Sequence, residues 1–197
     1  NKEIISNIGN VNYISHLAAG SHVDRSITHP LEFVMDNVVG TAHILDYARK
    51  QDGLDQFAYF STDEVFGPAP KGINFKENDR YNSTNPYSAS KAGGEELVVA
   101  YENTYGLPSF ITHTMNVFGE RQNVEKYIPM VIKKVRDNET VTVHANKEKT
   151  IAGSRHYIHA GDVADALLFL YNYDLSTIPE DKTGAKCQKF NIVGKDE

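Results

Sequence analysis

Cysteine is nearly missing from this sequence: Cys187 is the single one in 197 residues. That excludes an internal disulfide framework and fits a reducing compartment such as the cytoplasm. Long apolar runs are missing too. The longest, Ala164 to Tyr171, is interrupted by Asp165 and is far too short to span a bilayer. Positive charge is not in excess, since the formal net charge is -6. Nothing therefore draws the whole chain to nucleic acid or an anionic membrane, and an anionic ligand needs local Arg, Lys or backbone N–H groups. No cysteine cluster and no H-E-x-x-H pattern supports zinc. His156 and His159, three apart in an expected strand, point to opposite faces and read as hydrogen-bonded or surface residues, so no metal site is expected. Repeats, low-complexity tracts and Pro, Gly or Ser-rich linkers do not occur, nor does a G-x-G-x-x-G or Walker A loop.

What is there is an ordinary globular composition, 40% apolar and 23% charged, in a chain long enough for one domain with a sizeable core. Val11 to Leu17 and Phe57 to Ser61 are short β-prone runs. Between them Leu31, Val34, Val38, Thr41, Leu45 and Ala48 recur at helical spacing. A second helix is predicted from Tyr87 to about Tyr105, where Gly106-Leu107-Pro108 stops it. Further along come a strand at Phe110 to Thr114, a helix near Tyr127 to Arg136 and a strand at Thr140 to His144. A helix opening at Gly161-Asp162 and a strand at Lys189 to Val193 complete the reading. Strands alternating with such helices imply βαβ units and a parallel sheet. Ligands of such sheets bind beyond the carboxyl ends of the strands. Those ends carry Ala18-Ala19-Gly20-Ser21-His22, Thr62-Asp63-Glu64 and Met115-Asn116, which would converge on one crevice.

Tyr87 and Lys91 form a Y-x-x-x-K pair on one helical face. An ammonium near a phenol favours the phenolate, which lets tyrosine accept a proton near neutral pH. Chance alone supplies about one such pair in a chain of this composition, and an ordinary exposed helix pair is the plainer reading of the spacing. The local sequence narrows it: Pro86 suits a first helical turn, and Ser88, Ala89, Ser90 and Ala92 leave room for a ligand. Thr62-Asp63-Glu64 reads either as a solvated acidic turn or as an acid–base pair. Loss of water from a sugar needs a base for a carbon-bound proton and an acid for the departing hydroxyl, and adjacent carboxyls beside a desolvated crevice can divide those roles.

Taken together, residues 17–26 (LAAGSHVDRS), 61–67 (STDEVFG) and 86–91 (PYSASK) resemble the nucleotide-sugar 4,6-dehydratases of the extended short-chain dehydrogenase/reductase class, dTDP-glucose 4,6-dehydratase above all. Asn116-Val117-Phe118-Gly119, residues 125–129 (EKYIP), Arg155 with Ile158-His159, residues 162–164 (DVA) and 190–194 (FNIVG) follow in the family's order. The resemblance implies an α/β fold, a Rossmann-like doubly wound parallel sheet with its amino-terminal part missing, and a smaller carboxyl-terminal substrate-binding region. Residues 1–120 would be the second half of the NAD(P)-binding domain, and 121–197 a partial substrate region interleaved with its last elements.

The resemblance also implies roles. Tyr87 would take the 4-hydroxyl proton as C4 gives hydride to NAD or NADP, Lys91 would lower the Tyr87 pKa and hold the ribose, and Thr62 would bond near the 4-oxygen. Glu64 would remove the C5 proton, Asp63 would protonate the leaving 6-hydroxyl, and the hydride would return to C6. Leu17, Ala18, Ala19, Asn37 and Ser61, with Tyr87 and Lys91, would hold the cofactor. Ser21, His22, Asn116, Lys126, Arg155 and Asn191 would hold the nucleotide-diphosphate sugar. A homodimer through a four-helix bundle is implied, with the helices near Leu31 to Lys50 and Tyr87 to Tyr105 as candidates. The chain departs from the family at Gly20, usually Glu, at Val117, usually Asn, and at His156, usually Asp, and its Lys147 to Ser154 loop is unusual. Related epimerases and decarboxylases commonly have Ser at the Asp63 position, so Thr62-Asp63-Glu64 favours a dehydratase. A non-catalytic nucleotide binder would have no need of the five-residue set. The start at Asn1 and the charged end read as a fragment beginning at about the fourth strand. The missing glycine loop would lie upstream, and this piece by itself is expected to bind dinucleotide weakly.

Overall fold

β-branched and aromatic residues concentrate in three short runs, and these become three neighbouring strands of one sheet. The computed structural model describes residues 8–70, 72–178 and 186–194. β1 (Tyr13–His16), β2 (Gln56–Thr62) and β3 (Ser109–Thr114) run parallel, and a later strand, β6 (Gln188–Ile192), lies beyond β3. All six residues of β3 are buried, the pattern of a strand covered on both faces. Register pairs His16 with Tyr59 and Thr62 with Thr114, so β2 and β3 end side by side. Contacts divide the chain into two compact units, Asn1–Thr114 with Tyr173–Asn191, and Met115–Asn172 with Ile192–Glu197.

In the first unit, α1 (Val23–Thr28) and α2 (Pro30–Val34) lead through a π-helical turn, Met35–Val39, into α3 (Gly40–Ala48). The single helix expected across Leu31 to Ala48 is therefore interrupted by one widened turn, inside which Asn37 is buried. α4 (Pro86–Tyr105) starts on a capping box, with Asn85 Oδ1 accepting from Ser88 N at 2.8 Å, and has Pro86 in its first turn. It stops at Gly106, whose φ of 67° is left-handed and whose N–H donates to Glu102 O at 2.9 Å. Leu45 and Ala48 of α3, Phe57 and Tyr59 of β2, Val98 of α4 and Ile111 of β3 pack with Leu107 and Cys187 into the core.

Gly94 sets how closely α4 lies on the sheet. A Cβ there would sit 2.8 Å from Tyr59 Cζ and 3.0 Å from the Asn37 carbonyl oxygen. Helix propensity alone favours alanine over glycine by about 1 kcal/mol. Overpacking against fixed backbone and a buried ring opposes it, at roughly 1–3 kcal/mol. Gly94→Ala is therefore expected to destabilise the protein by up to about 2 kcal/mol, read as a lower urea midpoint at unchanged slope.

The second unit pairs two short parallel strands, β4 (Val117–Phe118) and β5 (Ile158–His159), with Val117 opposite Ile158. α6 (Ala160–Asn172) packs against both, burying Val163 and Leu170, and α5 (Tyr127–Arg136) buries no residue. The strand expected at Thr140 to His144 does not form. That stretch leaves Val143 49% exposed and is followed only by an isolated antiparallel bridge, Ala145 to Ala152. A β-prone run without a neighbour to pair with gains nothing from being extended. His156 likewise lies outside β5, so the two-face argument made for it with His159 does not apply. Among the described residues no helix is long and apolar enough to cross a membrane.

Candidate active site

Tyr87 and Lys91 share one face of α4, and that face is applied to the end of β2. Lys91, 3% exposed, donates from Nζ to the Phe60 carbonyl at 2.7 Å and lies 4.2 Å from the Tyr59 ring centroid. The Thr62 side chain acts on the Tyr87 phenol, favouring its ionised form. The Tyr87 backbone N–H donates to Ser26 Oγ at 3.1 Å, and its ring meets Phe33 edge-on at 6.5 Å between centroids.

These contacts change the expected electrostatics. Burial pushes the Tyr87 phenol up to about 12, the Thr62 hydroxyl opposes that, and the Glu64 and Asp63 carboxylates add to it. The Lys91 ammonium is directed at the Phe60 carbonyl and the Tyr59 ring. Burial drives Lys91 itself down to about 8, with Glu95 opposing.

Thr62 closes β2 and caps a 3₁₀ turn, Asp63–Phe66. Its Oγ1 accepts from the Glu64 N–H at 3.3 Å and lies 3.3 Å from Asp63 Oδ1 as donor. Glu64 Oε2 accepts from Asn85 Nδ2 at 3.2 Å, so the residue that caps α4 also holds the second carboxylate. Both carboxyl residues are half-buried rather than fully solvated.

Beyond β1, Leu17, Ala18 and Ala19 are exposed. Gly20 is gripped from both sides by Asn37, whose Oδ1 accepts from Gly20 N at 2.8 Å and whose Nδ2 donates to Gly20 O at 2.9 Å. Nδ2 also donates to Ser90 Oγ at 2.8 Å. With its amide used in this way and 1% exposed, Asn37 braces the loop and the helix. Ser61 is similar: its hydroxyl is buried on Glu95, so any contact it makes with a ligand falls to its backbone. A Cβ at Gly20 would lie 3.2 Å from the Phe33 ring, which leaves little space for a longer side chain there. Ser21 is exposed, and His22 caps α1 through Nδ1, which accepts from Arg25 N at 3.4 Å.

The remaining residues anticipated for the substrate divide between the units. Asn191 belongs to the first, donating from N to Glu77 Oε1 and from Nδ2 to Phe75 O, each at 3.3 Å. Asn116, Lys126 and Arg155 belong to the second. There Asn116 Nδ2 donates to His156 O at 2.9 Å, Lys126 precedes α5, and Arg155 is exposed. Two residues of the first unit escaped the sequence reading. Asn85 could have been found from its place before Pro86, and Glu95 from its spacing, four residues beyond Lys91.

The sequence profile of the NAD dependent epimerase/dehydratase family matches residues 1–181. A dTDP-glucose 4,6-dehydratase of Escherichia coli is 37% identical over 201 residues, covering 93% of this chain and 52% of that protein. The crystal structure of DesIV, a dTDP-glucose 4,6-dehydratase from Streptomyces venezuelae with NAD bound, superposes with a TM-score of 0.81 at 31% identity, covering 97% of this chain and 54% of that one. The UDP-glucose 4-epimerase of Thermus thermophilus in complex with NAD gives a TM-score of 0.82 at 25% identity, over 100% of this chain and 61% of that one. The chain spans about half the length of the curated relatives it matches.

Proposed function

The chain belongs to the NAD dependent epimerase/dehydratase family, and from that premise we propose that the full-length protein is a nucleotide-sugar 4,6-dehydratase using NAD. The observation that carries this reading is the pair Asp63 and Glu64, tied down by Thr62 and Asn85 within electrostatic reach of the Tyr87 hydroxyl. A 4-epimerase needs the tyrosine and the lysine but no second proton pair, because it returns the sugar without loss of water.

The residues fit a dinucleotide. Leu17, Ala18 and Ala19 leave the backbone beyond β1 accessible, and of the three N–H donors on Lys91 the Phe60 carbonyl takes one. Lys91 and that loop would hold the cofactor, which when bound accepts a hydride and later gives it back. Tyr87 takes the proton of the sugar 4-hydroxyl, with Thr62 favouring the ionised phenol. Glu64 then removes the proton beside the new ketone, and Asp63 delivers one to the departing 6-hydroxyl. In the first unit, Ser21, His22 and Asn191 are the proposed contacts to the nucleotide diphosphate.

Incubating the full-length enzyme with dTDP-glucose and NAD tests the reading. A 4-keto-6-deoxy sugar is the expected product; dTDP-galactose would establish an epimerase instead.

The partner proposed for the helices between Leu31 and Lys50 and for α4 is a second copy of the chain. Leu31, Met35 and Tyr105 there are each more than half exposed, Leu31 at 77%. Light scattering on the full-length protein should return a dimer, and Leu31→Glu with Met35→Glu should return a monomer.

A further inference from the structure

Glu64 and Asn85 lie 21 residues apart in sequence, and the backbone between them is folded back so that they meet. Val65 O accepts from Asn82 N at 2.9 Å, which lays the segment entering α4 against the 3₁₀ turn. The approach is tight at Gly67, whose φ of 75° is left-handed and where a Cβ would strike the Asn82 backbone. Asn85, a little further on, therefore reaches the turn that carries Asp63 and Glu64.

The Asn85 amide works in two directions at once. Its Oδ1 accepts from Ser88 N at 2.8 Å and caps the helix that bears Tyr87 and Lys91. That bond fixes which end of the amide faces the turn, so Nδ2 is directed at Glu64 and donates to Oε2 at 3.2 Å. The Glu64 backbone is held separately, its N–H donating to Thr62 Oγ1 at 3.3 Å. Glu64 is thus anchored at both ends, and among the described residues its Oε1 makes no hydrogen bond.

A helix cap alone does not call for asparagine. Serine and aspartate cap about as well, but aspartate has no proton to donate and the serine hydroxyl lies nearer the backbone. Of the three, asparagine alone carries an acceptor for the helix and N–H donors for a carboxylate in one plane. We propose that Asn85 is a positioning residue for the elimination, holding Glu64 Oε2 so that Oε1 is presented to the carbon-bound proton. The inference rests on the reading that Glu64 is the base of a 4,6-dehydratase. In that step the C5–H bond breaks and its proton passes to Glu64. The electron pair becomes the C5–C6 double bond as C6–O breaks, and the hydroxyl leaves as water with a proton from Asp63.

The test uses the full-length enzyme, NAD and dTDP-glucose in single turnover, with the sugar carrying hydrogen or deuterium at C5. Nicotinamide absorbance reads the first step, and quenched samples read the 6-deoxy product. Asn85→Ser keeps the cap and removes the amide, so NAD reduction should stay within about twofold of the original rate. Product formation should slow by about tenfold or more, the scale of a reacting group held slightly out of line. The isotope effect of C5 deuterium on product formation should grow, because proton removal then limits the rate. Asn85→Asp also keeps the cap but sets a second carboxylate against Glu64, and should slow product formation at least as much while sparing NAD reduction. It takes the place of Asn85→Ser if that variant fails to fold. A folded variant with both steps at their original rates overturns the proposal. So does one slowed in both steps by a single factor with the isotope effect unmoved, since Asn85 is then a helix cap only. Glu64→Gln separates the two ideas. If it forms the 6-deoxy product at the original rate, or the unmodified enzyme forms none, the underlying reading fails. If it stops while Asn85→Ser does not slow, only the role of Asn85 fails.

Discussion

Tyr87→Phe in the full-length enzyme is expected to slow cofactor reduction by about a thousandfold, within the range for losing one positioned acid–base group. The change is nearly isosteric, so the edge-on contact with Phe33 and the backbone bond to Ser26 survive, and the fold should stand. What disappears is the hydroxyl on which Thr62, Glu64 and Asp63 act. Substrate affinity should shift only a few-fold, because the proposed contacts to the nucleotide diphosphate do not include the phenol. The pH dependence of the unmodified enzyme follows from the two shifts. Burial first, then Glu64 and Asp63, push the phenol to about 12 against the opposing Thr62, so the fraction able to accept a proton grows as pH rises through neutrality. Lys91, lowered to about 8, is charged below that pH and loses its proton above it. The rate should therefore climb and then fall, with the descending side near pH 8. Stopped-flow absorbance of reduced nicotinamide measures both the loss and the profile. A Phe variant that reduces NAD at the original rate would remove Tyr87 from the mechanism.

The parts of this site legible in the sequence are those coded by neighbours along the chain. Pro86 and the stop at Gly106-Leu107-Pro108 framed α4, and Y-x-x-x-K put Tyr87 and Lys91 on one face because helix geometry leaves no choice. The aromatic and β-branched run at Phe57 to Ser61 marked β2, so Thr62 to Glu64 had to fall at its end. The parallel α/β class followed from the alternation. What stayed hidden depends on residues distant in sequence. Glu95 looks like one more polar position on a helix until His113 and Lys189, 18 and 94 residues later in the chain, arrive beside it. Asn37 was anticipated at the cofactor, but only the folded π-turn shows its amide gripping Gly20. The direction of the Lys91 ammonium was illegible for the same reason, since a carbonyl of β2 and the Tyr59 ring decide it. The missing strand at Thr140 to His144 errs the other way: local propensity was present and the tertiary partner was not.

Asp63→Asn and Glu64→Gln are expected to divide the reaction at its middle, and this is the sharpest test of a dehydratase. Oxidation at C4 needs Tyr87, Lys91, Thr62 and the cofactor, whereas loss of water needs in addition an acid at C6 and a base at C5. Asp63→Asn should thus keep NAD reduction near its original rate while release of the 6-deoxy product slows about a hundredfold or more. Both substitutions also remove a negative charge that raises the Tyr87 pKa, so the first step should become slightly easier at neutral pH, not harder. Glu64→Gln keeps the size of the side chain, and its amide can turn an oxygen toward Asn85 Nδ2, so the start of α4 should hold. Exchange of the C5 proton with solvent should nonetheless fall by a similar factor. The double variant should be little worse than either single one, because both residues serve one elimination and their losses do not multiply. In each variant reduced nicotinamide should accumulate, visible in the same stopped-flow trace that shows product formation lagging. Product formation at the original rate in both single variants would make the carboxyl pair an ordinary turn, and the epimerase reading would then take its place.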